Sequence, residues 1–309
     1  MEYRLLGNSG LRVSALSIGG WLTLGKSVED TTSHDILRAA IAGGINFIDV
    51  ADIYAIGESE RVVGEVIVDY KRSDLVISSK VFWPMSDNPN DQGLSRKHIM
   101  ESIDKSLGRL QTDYLDIYFC HRWDLNSPLL ETMRAMDDLI HRGKILYWGT
   151  SMWSADQLRD AHALAERYNL HAPIVEQPRY NLIHRDIEQD VLPTCVELGM
   201  GLTIWSPLAQ GMLTGKYNQG VPDNSRAATS SWLESDLTEE NLARVRRFCE
   251  TAERLGHRPE QLALAWLLKQ EGISSVITGA TRTEQVHNNL AAAHIALDEA
   301  VLAEIATIF

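Results

Sequence analysis

Ala15-Leu-Ser-Ile-Gly-Gly-Trp-Leu-Thr23 is a short apolar run, Ala15–Ile18, that passes through two glycines straight into Trp21. An open dinucleotide-binding sheet would carry Gly-x-Gly-x-x-Gly between its first strand and first helix, and no such fingerprint follows here. Short β-branched or apolar runs recur downstream at Asn46–Asp49, Leu75–Ser79, Leu115–Phe119, Ile145–Gly149, Ile174–Glu176, Gly201–Trp205 and Ser275–Thr278. Between them lie stretches with helical spacing at Asp30–Ala42, Glu58–Asp69, Ser95–Leu110, Pro128–His141, Ser154–Tyr168 and Arg185–Leu198. Strand–helix alternation predicts parallel strands with right-handed crossovers. Eight such units without the open-sheet fingerprint predict an α/β fold, a closed (β/α)8 TIM barrel, with residues 1–309 forming a single domain.

Local signals sharpen the boundaries. Ser95 and Ser154 stand at N-cap positions, and Gly43-Gly44, Gly143 and Gly199 follow the last apolar turns as C-terminal stops. Ahead of the first strand, Tyr3–Leu5 and Leu11–Val13 flank Gly7-Asn8-Ser9-Gly10, which predicts a β-hairpin plugging the lower end of the barrel. After strand seven, Ser206 to Asp236 is a long Gly-, Asn- and Ser-rich segment of the sort that is commonly functional. Extra helices are expected over Thr238–Leu255 and Pro259–Lys269, with a final one over Asp298–Ile308.

Composition excludes several classes. The formal net charge is −13 and no Lys/Arg run occurs, which argues against a nucleic-acid partner. No apolar stretch of about 18 residues is present, so no membrane span is expected, and the N-terminus lacks a signal-peptide core. Cys120, Cys195 and Cys249 are few, dispersed and without metal spacing, as expected of reduced thiols in a cytoplasmic protein.

Reacting groups in barrels of this kind sit at the C-terminal ends of strands. Reading those ends gives Asp49 and Tyr54 after strand two, Lys80 at the end of strand three and His121 at the end of strand four. Reduction of a carbonyl needs a hydride, which only a cofactor supplies, and a proton, which a phenol of ordinary pKa about 10 can give. An ammonium beside the phenol lowers that pKa, a carboxylate holds the ammonium charged, and an imidazole orients the carbonyl oxygen. Trp21, Tyr54, Trp83, His121 and Trp123, all in rim loops, are the expected substrate-pocket lining.

Gly44-Ile-Asn-Phe-Ile-Asp49-Val-Ala-Asp-Ile-Tyr54, with Gly57-Glu58-Ser59-Glu60 and Gly64, resembles the first motif of the aldo-keto reductases. Tyr3-Arg-Leu-Leu-Gly7, Gly93–His98, Tyr147-Trp-Gly-Thr-Ser151, Trp205-Ser-Pro-Leu-Ala209, Gly215-Lys-Tyr217 and Ser225-Arg226-Ala227 extend the resemblance along the chain. It is closest to the branch of potassium-channel β subunits and their bacterial relatives. The resemblance implies NADPH-dependent reduction of aldehydes or ketones, NADH being the weaker partner, with Tyr54 as general acid aided by Asp49, Lys80 and His121. Channel β subunits carry an amide at the His121 position, so this chain looks built for turnover.

The resemblance also implies cofactor contacts. Gln177 and Ser151 match residues that hold the nicotinamide amide, and Trp205 the aromatic against which the ring stacks, near Gly20, Trp21 and Asp49. Ser206, Pro207, Leu208, Ala209 and Gly211 match a pyrophosphate cradle, and Gly279, Thr281, Gln285, Asn288 and Asn289 the adenosine 2′-phosphate and adenine grip. Lys216 and Arg226, with Arg282 beside them, would add positive charge against that phosphate. Two positions depart from the pattern: Asn288 stands where relatives often have Glu, and Met152 where channel β subunits have a basic residue.

Two other readings compete. A redox-sensing regulatory subunit would bind cofactor and turn over slowly, and self-association follows by analogy with the ring-forming channel relatives. A metal-dependent lyase or isomerase on the same barrel would need His98, His121, His141, His162, His171 or His184 clustered with carboxylates. Only His121 falls at a strand's upper end, and no resident metal is expected.

Overall fold

The structure, a computed structural model, describes residues 1–223, 225, 228, 233 and 235–309. Eight parallel strands close into a barrel: β3 (Leu16–Gly19), β4 (Phe47–Asp49), β5 (Val76–Val81), β6 (Leu115–Cys120), β7 (Ile145–Thr150), β8 (Val175–Glu176), β9 (Gly201–Ile204) and β10 (Ile273–Thr278), with β10 pairing back onto β3. Helices α1 (Asp30–Ala42), α2 (Glu58–Ile67), α3 (Arg96–Leu110), α4 (Leu129–His141), α5 (Ala155–Tyr168) and α6 (Val191–Glu197) cover the outside. Ser95 accepts from the His98 amide and Ser154 from the Gln157 amide, so both N-caps stand where the hydroxyls predict them.

Period-two alternation separates two cores. Ile48, Ile77, Tyr118 and Cys120 point outward into the large apolar layer under the helices. Phe47, Val76, Ile117, Phe119 and Val175 form a second cluster inside the barrel. By the same alternation Asp49, Ser78 and Lys80, and His121 just beyond β6, face the axis near the C-terminal rim.

Strands β1 (Tyr3–Leu5) and β2 (Arg12–Ser14) form the expected antiparallel hairpin. Leu6 and Val13 join the interior cluster from below, so the hairpin closes the N-terminal end of the barrel. Gly7 is required there. Its φ is +56°, and a Cβ would lie 2.3 Å from the carbonyl oxygen of Gly199.

Several boundaries shift. β5 runs to Val81, one residue past Lys80, so Lys80 lies within the strand. β8 contracts to Val175–Glu176, and β10 begins at Ile273, directly after Gly272 with its φ of +77°. The stretch 185–198 is not one helix: a 3-10 turn at Asp186–Glu188 precedes α6, which starts at Val191 with Asp190 accepting its amide. Pro193, which has no amide hydrogen, falls in the first turn of α6, where none is needed. A nine-residue helix, Thr283–Ala291, follows β10 and is not among the helices expected from the sequence. The extra helices occupy Glu239–Arg254, Pro259–Leu267 and Glu299–Ile308. No helix among the described residues is long and apolar enough to cross a membrane.

Candidate active site

A cleft of about 850 Å3 opens at the C-terminal rim. Asp49, Tyr54 and His121 line its floor, and Lys80 lies beneath them with no solvent exposure. The Lys80 ammonium donates to Asp49 Oδ2 at 2.6 Å and to the Val50 carbonyl at 2.8 Å, and lies 4.8 Å from the Tyr54 ring centroid. The other carboxylate oxygen, Asp49 Oδ1, accepts from Ser78 Oγ at 2.7 Å and Gln177 Nε2 at 3.0 Å. The Tyr54 and His121 rings meet edge to face, centroids 5.8 Å apart.

Tyr54 is presented by a strained turn. Ala55 and Ile56 have φ of 50° and 52°, a region that costs a β-branched residue on the order of 1–3 kcal/mol. Asp52 anchors this turn from behind: its carboxylate accepts from the Ile53 amide at 2.6 Å and from Ser102 Oγ on α3 at 3.0 Å. Burial and the nearby Glu60 push the Asp52 carboxyl up to about 7.

The electrostatics differ from the sequence expectation for the phenol. Burial raises the Tyr54 pKa above its ordinary value, with Lys80 pulling against it. Burial also works against the Lys80 charge, but Asp49 and Tyr54 outweigh it and the ammonium is held more firmly than usual. His121 is pushed well below the ordinary histidine range, first by burial and then by Lys80 and Arg122. The resting site is therefore a neutral phenol, a charged ammonium and a neutral imidazole.

One wall of the cleft is aromatic. Trp21 meets Trp205 edge to face at 5.8 Å, Trp83 lies 6.2 Å from His121, and Arg122 stacks over Trp83 at 5.7 Å. Ser151 Oγ donates to the Gln177 carbonyl at 2.8 Å. Beyond Trp205 the lining continues through Ser206, Pro207, Leu208 and Gly211 to Lys216, then to Gly279, Thr281, Gln285, Asn288 and Asn289.

The structure thus gathers most of the predicted residues into one cleft, but not all. Trp123 turns away from it and packs edge to face on Trp153, 4.7 Å between centroids. Gly20 faces α2, where a Cβ would lie 2.2 Å from Ser59 Oγ. Ala209 is buried outside the lining. Arg226 lies outside the described residues. Lining residues that the sequence reading passed over include Lys26, Gln210 and Arg258. Lys26 sits in the loop after β3, so the strand-end rule could have found it; Arg258 arrives from an added helix that follows no barrel strand, and no sequence signal marks it.

The cleft fits an extended, polar, anionic ligand. Among its described lining residues five side chains are basic and two acidic, in a chain of net charge −13. Both polar atoms of the Gln210 amide and the Trp205 indole nitrogen are buried without a partner among the described residues. Gly211, with φ of +96°, leaves room for Lys216: a Cβ there would lie 2.6 Å from its Nζ.

The sequence model of the aldo/keto reductase family matches residues 15–309. The chain belongs to that family. This aldo/keto reductase family member is 45% identical over 302 residues to a probable voltage-gated potassium channel subunit beta of Arabidopsis thaliana, covering 96% of this chain and 92% of the relative. A rice relative of the same name, from Oryza sativa subsp. japonica, is 45% identical over 299 residues, covering 94% and 91%. These matches agree with the family and branch to which the sequence motifs point.

Proposed function

We propose that this aldo/keto reductase family member reduces aldehydes or ketones to alcohols with NADPH, Tyr54 giving the proton. The observation that supports it best is the buried Lys80–Asp49 pair directly under the Tyr54 ring, beside a neutral His121, on the floor of the cleft. A nicotinamide cofactor, when bound, supplies the hydride to the carbonyl carbon. Gln177, Ser151 and Trp205 would hold its nicotinamide end, and Lys216, Arg282, Gln285 and Asn289 its phosphate-bearing end, where paired basic side chains favour a 2′-phosphate.

The protein's part is the proton. Tyr54, kept neutral by burial, carries its proton to the substrate oxygen as negative charge develops there. The phenolate left behind faces the Lys80 ammonium, which offsets the charge without moving. Asp49 cannot relax away, since Ser78, Gln177 and Lys80 occupy its oxygens. Neutral His121 donates a hydrogen bond that orients the carbonyl. The aromatic wall of Trp21, Tyr54 and Trp83 suits an apolar carbonyl compound.

A second reading is favoured by the names of the relatives: a regulatory partner of a membrane channel that binds cofactor and turns over slowly. Steady-state NADPH consumption over a panel of aldehydes, including nitrobenzaldehyde and glyoxals, separates the two. Sustained turnover is expected; tight NADPH binding without turnover would replace the reductase reading with the regulatory one.

A further inference from the structure

At the opposite end of the barrel from the cleft, three metal-competent side chains converge. Asp137 and His141 lie one turn apart on the last part of α4, which leads into the start of β7. His171 lies in the segment just before β8. The starts of parallel strands form the N-terminal face, so this cluster shares no residue with the catalytic floor. His171 Nδ1 lies 2.7 Å from Asp137 Oδ1, and His141 Nδ1 lies 3.3 Å from Asp137 Oδ2. The two imidazole rings are 5.4 Å apart at 68°. One ligand atom from each residue falls within 4.8 Å of the other two, and among the described residues no other group of three such donors converges in this way.

We infer that Asp137, His141 and His171 form a surface site for a borderline divalent transition ion such as zinc. Two imidazoles and one carboxylate are the donor set of zinc, nickel and cobalt sites; calcium and magnesium take oxygen ligands alone. The donor atoms lie within 4.8 Å of one another, close enough to share one ion about 2.0–2.2 Å from each once the imidazoles turn out of their hydrogen bonds, with water completing a tetrahedron. The carboxylate side chain is only 12% exposed, whereas the imidazoles are half exposed or more, so the anion is fixed and the rings are reachable.

The ligands are pre-positioned. The His171 amide donates to Asp137 Oδ1 at 3.0 Å, and the Trp148 indole donates to the His171 carbonyl at 2.9 Å, which pins the loop to β7. His171 Nδ1 is hydrogen-bonded to the Asp137 carboxylate and His141 Nδ1 to the Asp137 backbone carbonyl at 2.9 Å, and a bound ion would take the place of these bonds by rotation of the two exposed rings. It would tie the end of α4 to the entry of β8. The site is a structural clasp, and turnover at the far rim should not depend on it.

Calorimetric titration of chelator-treated full-length protein with zinc tests the site. The expected result is one equivalent bound, with affinity at least about tenfold lower in H141A and in H171A, since loss of even an outer-shell partner costs that much. Zinc should raise the melting temperature of the parent but not of the H141A/H171A double variant, and NADPH turnover should be the same in both. Anomalous diffraction at the zinc edge should place the ion between the two rings. Equal zinc uptake by parent and double variant, or an anomalous peak elsewhere, would overturn the assignment. Both histidines are exposed, so the variants should fold; if circular dichroism shows otherwise, H141Q with H171N, which keeps polar side chains of similar reach, replaces them.

Discussion

Lys80 Nζ stands 2.6 Å from Asp49 Oδ2, and neither side chain reaches solvent beyond a few per cent. An ammonium and a carboxylate are thereby removed from water together, each dependent on the other. Replacing Lys80 by Met should leave Asp49 as an uncompensated buried charge and destabilise the fold by roughly 3–5 kcal/mol in urea denaturation. The double variant K80M/D49N should recover much of that loss while remaining inactive. If the double variant is no more stable than K80M alone, the pair is not coupled as its geometry indicates.

Tyr54→Phe tests the proton donor. The ring and its packing survive, and only the hydroxyl is lost. Catalytic turnover is expected to fall by about 10²- to 10⁴-fold, the usual contribution of a positioned acid, while NADPH binding measured by fluorescence quenching stays within about twofold. Turnover near the parental value would remove Tyr54 from the mechanism.

Glu176 carries a pH prediction. It is fully buried on β8, accepts from Thr150 Oγ1 at 2.5 Å and from the Trp153 amide at 3.2 Å, and burial raises its carboxyl from 4.5 to about 7. The folded protein therefore keeps a proton that the unfolded chain releases above pH 4.5. The stability associated with that proton is complete below pH 4.5 and is lost as pH rises to about 7, on the order of 3 kcal/mol in all. Glu176→Gln mimics the protonated form. It should match the parent at pH 5 and exceed it in stability at pH 8; a variant less stable than the parent at pH 8 would contradict this account.

His121 bears the opposite sign. Its folded pKa lies well below the ordinary 6.5, so the unfolded chain binds a proton that the folded chain refuses, and stability declines as pH falls below about 6.5. His98 and His162 are depressed in the same direction, mainly by burial. Replacing His121 by Asn should make the stability loss between pH 7 and pH 5.5 shallower. Unchanged steepness in denaturation curves at the two pH values would count against a neutral buried imidazole.

Lys216→Ala and Arg282→Ala address cofactor choice. Each should raise KM for NADPH by about tenfold, the scale of one charge-assisted hydrogen bond at a partly exposed site, and leave KM for NADH nearly unchanged. Equal effects on both cofactors would mean that these side chains do not read the 2′-phosphate.

The eight strands were legible because each unit repeats the same local chemistry: an apolar run, a polar turn, an amphipathic helix. The catalytic candidates were legible for a related reason. Asp49 and Lys80 occupy the last inward positions of two neighbouring strands and His121 the next inward position just beyond a third, so counting by twos from Phe47, Val76 and Ile117 reaches them. Trp123 shows where such reading stops. It sits in a rim loop as Trp83 does, yet its ring folds back onto Trp153, because a loop side chain has no periodicity to set its direction.

Sequence alone determined the closed barrel, its hairpin and the strand ends at which chemistry belongs, because hydrophobic period and turn residues are local properties. Tertiary structure decided the charge states. Whether Tyr54 rests neutral, Lys80 stays charged and His121 refuses a proton depends on burial and on partners 31 to 128 residues away along the chain, as in the Lys80–Asp49 and Gln177–Asp49 bonds. It also decided that Asp137, His141 and His171 meet, since no spacing along the chain announces a contact that only the packing of α4 against the entry to β8 creates.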